Sequence, residues 1–238
     1  MSKPQEFKLT RPWTVRKEKK RMARKIFLAI LLSLLLPAAW AQQAPRKDAD
    51  YDAVRDFSIH SNPNGAWSYG YMNGWGSSFT LYTVPDTNCY PGYSFSGWHE
   101  EGQCHIPFVL RNDSDTKICF QTFCIPTGYL FVSPGPDNGI PVVRWTVPSS
   151  GKYLMQVTLG GLDWAGPTST GVYVQLNSKT SLLSGPITSY QWPLKITERG
   201  SLAAGDTVDF IVDWGKNADY NYDSTGLEVK IWKLGQSD

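Results

Sequence analysis

Four stretches of this chain repeat apolar residues at every second position. Tyr153, Met155, Val157 and Leu159 form one set, and Val172, Val174 and Leu176 alternate with Tyr173 and Gln175 in another. Val208, Phe210 and Val212 alternate with Asp209 and Asp213; Leu227, Val229 and Ile231 alternate with Glu228 and Lys230. A period of two places successive side chains on opposite faces, so each stretch reads as a strand with one face in a core. Turn dipeptides separate them, among them Pro134-Gly135, Ser150-Gly151, Gly160-Gly161, Gly185-Pro186 and Gly205-Asp206. No convincing amphipathic helical stretch interrupts the series. Many short strands at regular spacing predict an all-β fold, a two-sheet antiparallel β-sandwich of the jelly-roll type.

The N-terminal region reads differently. A basic run from Lys17 to Lys25 precedes the apolar segment Ile26–Leu36, and Ala39 and Ala41 stand where a cleavage site needs small residues. This pattern predicts a signal peptide over 1–41 and a secreted or periplasmic protein. The apolar run is shorter than the roughly 20 residues of a membrane span, so no span is expected after cleavage; an uncleaved anchor is the alternative. Met22 opens a complete leader by itself, which makes 1–21 a candidate overcalled extension. A linker over 42–53 and a sandwich domain over 54–234 follow. The leader holds ten of the 23 basic and two of the 21 acidic residues, leaving 13 and 19, a net charge of −6. That balance argues against nucleic acid as a partner. The sequence does not fix an oligomeric state.

Cys89, Cys104, Cys119 and Cys124 lie in a less regular region, Pro85 to Thr127. In an exported chain they read as two disulfides tying a loop excursion. Three pairings are possible. Cys89–Cys104 with Cys119–Cys124 closes the smallest loops and is favoured. A zinc site recruiting His99 and His105 is the rival, although the spacings are not those of paired C-x2-C ligands.

The stretch from Asn62 to Gly76, NPNGAWSYGYMNGWG, opens on a turn and then alternates Trp67, Tyr69 and Tyr71 with small residues. Trp67 reads as core before ligand contact, and so does Trp145 in VRWTVPSSGKY. Together, NPNGAWSYG, VVRWTVPSSGKY, LAAGDTVDF and DSTGLEVKIW resemble a group of bacterial secreted β-sandwich modules similar to carbohydrate-binding jelly rolls. The resemblance spans most of 54–232. It implies the sandwich and a glycan or cell-surface polysaccharide as partner. The cysteine-bearing excursion departs from the shared pattern, and no sorting tail follows Leu234.

Catalytic motifs are scarce. H-E-x-x-H, G-x-S-x-G and Gly-rich phosphate loops are missing from the sequence. His99, Glu100 and Glu101 read as a solvated polar turn, or as acid–base groups of a hydrolase or lyase, since two carboxylates suffice for glycoside hydrolysis. A structural envelope or matrix protein is the third class of function. For glycan binding, aromatic rings matter most, because sugars stack an apolar face and bond through polar edges. Trp75, Trp98, Trp164, Trp192 and Trp214 are the candidates, each beside Gly, Pro or polar residues in an apparent loop. Asp219, Asn221 and Asp223 repeat at every second position, an oxygen-ligand pattern suited to structural Ca²⁺. The alternative is an acidic hairpin loop. Jelly rolls that bind carbohydrate often carry such an ion near the final strand, so the resemblance points to the same place.

Overall fold

The computed structural model describes residues 48–100, 106–136, 139–191 and 193–235. Within them lie sixteen strands: β1 (Tyr51–Asp52), β2 (Trp67–Asn73), β3 (Thr80–Leu81), β4 (Val84–Asp86), β5 (Phe95–His99), β6 (Phe108–Asn112), β7 (Ile118–Phe120), β8 (Phe123–Ile125), β9 (Leu130–Ser133), β10 (Gly139–Thr146), β11 (Gly151–Gly161), β12 (Thr170–Leu176), β13 (Thr180–Ile187), β14 (Leu194–Leu202), β15 (Thr207–Asp213) and β16 (Thr225–Leu234). One sheet runs β14-β11-β16-β9-β6-β5-β4, with β1 beside β16. The other runs β13-β12-β15-β10-β2-β3. Their pairings are antiparallel, as the alternating pattern requires.

The inner faces follow from the period of two. Across the six-stranded sheet, Tyr69, Val143, Phe210 and Val174 stand in one register row, and all are buried. They pack with Trp98, Val109, Val132 and Leu159 of the eight-stranded sheet in one core cluster. Trp67 and Trp145 are register partners and fully buried, as their motifs predict. The NPNG turn is structural. Asn64 and Trp67 exchange backbone hydrogen bonds around Gly65, which holds φ +57°. The Asn62 side chain then ties Tyr69 to Tyr82, donating to both carbonyls and accepting from the Tyr69 N–H.

Two expectations need adjustment. The sheet begins inside the expected linker, because Tyr51 and Asp52 pair with Ile231 and Lys230. The region from Pro85 to Thr127 supplies β4, β5 and β6 to the main sheet, so the true excursion is the small β7–β8 hairpin. Cys119 and Cys124 are register partners there and form a disulfide. The hairpin packs Phe123 and Ile125 on Phe108, Leu110 and Phe131, closing the outer face of that sheet. Cys104, and with it the Cys89–Cys104 pairing, lies outside the described residues, as does His105. So does the leader. Among the described residues no helix is long and apolar enough to cross a membrane.

Candidate functional site

Chain direction gathers several loops at one end of the sandwich. Asn73 ends β2 opposite Gly139, Asp213 ends β15 opposite Gly171, and Gly161 ends β11 opposite Thr225. The loops that follow β2, β11 and β15 carry Trp75, Trp164 and Trp214.

Alternation along β15 sends Asp213 to the outer face, yet it is almost fully buried. Gly171 makes that possible. A Cβ at Gly171 would lie 2.0 Å from Asp213 Oδ1 and 2.9 Å from the Tyr173 hydroxyl. Asp213 Oδ1 accepts from the Gly215 N–H at 2.8 Å, and Oδ2 accepts from Trp75 Nε1 at 2.7 Å. Burial, followed by the Asp213 charge, raises the pKa of Tyr173. Trp75 meets the Tyr173 ring edge-on, with centroids 4.5 Å apart. Gly74 and Gly76, at φ +90° and +83°, set Trp75 on a tight turn that an L side chain would resist at either position. The result is an indole pinned by its N–H and by one edge, with 46% of the residue exposed.

Beside it, the same outer face carries a small cluster of Met72, Ile140, Val142 and Ile211, with Phe79, Tyr173 and Trp214 packed against it. Arg144 lies 4.1 Å over the Phe79 ring and forms a two-pronged pair with Asp209, at 2.6 and 2.9 Å. Aromatic rings flanked by fixed carboxylates are the composition that holds a sugar, ring faces against C–H surfaces and oxygens toward hydroxyls.

The five candidate tryptophans therefore part ways. Trp75 is a displayed, anchored ring. Trp214 is half-buried against its cluster, and its carbonyl accepts from Ser169 Oγ at 3.3 Å. Trp164 is 58% exposed on the loop after β11, where its backbone N–H donates to the Thr122 carbonyl. Trp192 lies outside the described residues. Trp98 is corrected to core: it is 5% exposed and its Nε1 donates to the Ser58 carbonyl at 2.7 Å. The neighbouring Gly97 suggested a loop, but it is a close-packing glycine. A Cβ there would lie 2.0 Å from Leu110 Cδ2. Asp213 was legible as an outward residue of β15; its role was not, because the bond to Trp75 spans 138 residues.

The described acid–base candidates, His99 and Glu100, are each engaged with structural partners. His99 is buried on β5, against Asp86 Oδ2 at 3.3 Å and the Glu100 carbonyl, rather than in a solvated turn. Glu100 Oε1 accepts from the Tyr71 hydroxyl at 2.6 Å. Glu101 lies outside the described residues. Asp86, Cys89 and His99 bring their ligand atoms within 4.8 Å. That trio suits a metal only if Cys89 is a thiolate.

The acidic loop also divides. Asp219 Oδ1 accepts from Asn221 N–H and Nδ2 in an exposed turn. Asp223 is 0% exposed; its Oδ1 accepts from the Ser169 N–H and Thr170 Oγ1, and its Oδ2 has no hydrogen-bond partner. Burial lifts its pKa to about 6, and the charges of Asp163 and Asp219 add to the rise. Asp163, also buried with its pKa raised by burial, accepts from Thr122 Oγ1 and from the Ser224 N–H.

No protein-family model matches the chain, and no curated protein is similar to it in sequence. Solved structures align weakly. A family 35 carbohydrate binding module from an environmental isolate is 11% identical, with 71% of this chain and 93% of that one covered, at a TM-score of 0.28. A CBM51 from Clostridium perfringens GH95, in complex with methyl-galactose, is 10% identical over 77% and 94%, at 0.29. The mannan binding module from Man5C is 21% identical over 45% and 83%, at 0.26. TM-scores this low transfer neither kinship nor ligand.

Proposed function

We propose that this chain is an exported, non-catalytic module that binds glycan on the outer face of its six-stranded sheet, with Trp75 as the stacking ring. One observation carries the reading. The Trp75 indole is fixed by a buried carboxylate and still displays its ring to solvent. A buried carboxylate is held at the expense of its hydration, and here it orients a ring that no core needs. Preorganisation of this kind lowers the ordering cost of binding a weakly held ligand. The partner class is a neutral or cell-surface polysaccharide presenting an apolar sugar face.

The test is a glycan array on the exported protein, repeated with Trp75→Ala and with reducing-end release measured in parallel. Saturable binding that Trp75→Ala removes, without turnover, supports the module. Release of reducing ends that depends on Glu100 or Glu101 replaces it with a hydrolase. Binding that ignores Trp75→Ala moves the site elsewhere.

A structural Ca²⁺ belongs to the same proposal. Asp223 fits a cation, because a buried carboxylate oxygen without a partner is what a cation relieves. Asp219 and Asn221 are engaged with each other, so Asp223 is the ligand we assign, with Asp163 beside it as the second buried carboxylate. The ion would tie the loop to the entrance of β16.

A further inference from the structure

β15 turns two carboxylates to the outer face of its sheet: Asp213 and, four residues before it, Asp209. Along a strand that spacing places them about 13 Å apart. Both are buried, and each fixes a group that reaches solvent. Asp213 holds the Trp75 indole. Asp209 holds the guanidinium of Arg144, its register partner on β10, whose Nε donates to Oδ1 at 2.6 Å and Nη2 to Oδ2 at 2.9 Å. Ser178 Oγ donates to the same Oδ2 at 3.0 Å. Phe79 supports the guanidinium, which lies 4.1 Å over its ring. Gly70 admits that ring to the sheet surface, since a Cβ there would lie 2.7 Å from two Phe79 ring carbons.

This fixed arginine keeps donors to spare. Its side chain is 20% exposed. Nη1 finds no acceptor among the described residues, and it is not among the buried unsatisfied atoms, so solvent reaches it. A guanidinium tied to a carboxylate along one edge still presents N–H groups along the other, and its planar fork holds them in a set direction. The row between the two carboxylates carries Gly70, Val142, Ile211 and Tyr173. Across the six strands of this sheet the charged residues are Arg144, Asp209 and Asp213, one cation against two carboxylates. The Arg144 charge is already met by Asp209, so such a face does not attract an anionic sugar. It offers directed donors to hydroxyl and ring oxygens instead.

We propose that the glycan at Trp75 is a linear, uncharged chain of several sugar residues lying along β15, with Arg144 as a second contact that donates from Nη1 to a sugar distant from the Trp75 ring. This rests on the reading of Trp75 as the stacking ring, and it adds the length and charge of the ligand.

The test uses di- and pentasaccharides of glucose, mannose, xylose and galacturonic acid. A disaccharide is too short to touch both groups. Each is titrated into the ¹⁵N-labelled full chain, and affinities are read from the NMR shifts. A neutral pentasaccharide should bind about tenfold or more tighter than its own disaccharide, and tighter than the galacturonic acid chain. Arg144→Lys keeps a charge beside Asp209 but loses the fork, and should cut that length ratio to about threefold or less. A merely structural Arg144 would weaken both lengths equally and leave the ratio unchanged. Trp75-dependent binding overturns the proposal and spares the stacking ring if the ratio is near one, if it survives Arg144→Lys, or if the acidic chain binds tightest. Binding by none of the chains, or binding unmoved by Trp75→Ala, overturns the stacking ring and the proposal together. Should Arg144→Lys not fold, the length ratio and the neutral-against-acidic comparison in the unmutated chain decide alone.

Discussion

Asp223 offers the clearest quantitative test, because its carboxyl is buried with one oxygen unpartnered. Burial is the largest influence on its pKa, which stands near 6 against 3.8 for the free group; the bonds from Ser169 and Thr170 only partly offset it. A folded-state pKa above the unfolded one means the native protein binds this proton more tightly. Ionised Asp223 therefore opposes folding above about pH 6, and stability should rise as pH falls from about 6 toward 4. Two pKa units correspond to about 3 kcal/mol. The assay is urea unfolding between pH 4 and 7.5 with a chelator present, comparing the natural protein with Asp223→Asn. Asparagine keeps the acceptor for Ser169 and Thr170 but cannot ionise. The difference in unfolding free energy between the two should change by about 3 kcal/mol across the window, in favour of the natural protein at low pH. Asp163 titrates in both, and its charge enters the difference through its effect on Asp223. Calcium sharpens the experiment. A cation on Oδ2 favours the ionised form, so saturating Ca²⁺, at about 100 times its dissociation constant, should add about 2.7 kcal/mol near neutral pH and flatten the profile. Parallel pH profiles for the two proteins would refute the reading of a strained carboxylate. Identical melts in calcium and chelator would leave Asp223 a purely structural acid.

Further outcomes follow from the same geometry. Gly171→Ala should displace Asp213 and free Trp75, lowering glycan affinity about as much as Trp75→Ala does, roughly tenfold or more for a lost anchor ring; isothermal titration with an array-selected oligosaccharide measures both. Replacing Cys119 and Cys124 by Ser should raise hydrogen exchange over 118–125 and shift global stability by less than the roughly 2–5 kcal/mol typical of a small disulfide-dependent domain, because the covering cluster of Phe108, Leu110 and Phe131 stays in place. Mass spectrometry of the exported protein should find an N-terminus near Gln42; an intact Ile26–Leu36 segment would indicate an anchor instead.

How far the sequence speaks depends on the range of the interaction. Period-two alternation is local, so β11, β12, β15 and β16 are legible from it, and so is the burial of Trp67 and Trp145. The strands β5 and β6 were not, because both of their faces are covered. Ser96, Gly97, Trp98 and His99 are all buried, the inner face by the core and the outer by the β7–β8 hairpin, so no polar face remains to mark the alternation. Glycine was the most misleading letter. Beside Trp75 it marks a turn, at φ values that only glycine adopts easily. Beside Trp98 it marks the absence of room for a methyl group. One residue type thus serves two physical needs, and only the neighbour across the sheet tells them apart. The same limit governs the site. Trp75 was recognisable as a displayed ring from its own surroundings, whereas Asp213 acquires its role from a glycine on the adjacent strand and an indole 138 residues away. A chain shows which rings it displays; which carboxylate holds a ring in place emerges only when the register of the sheet is fixed.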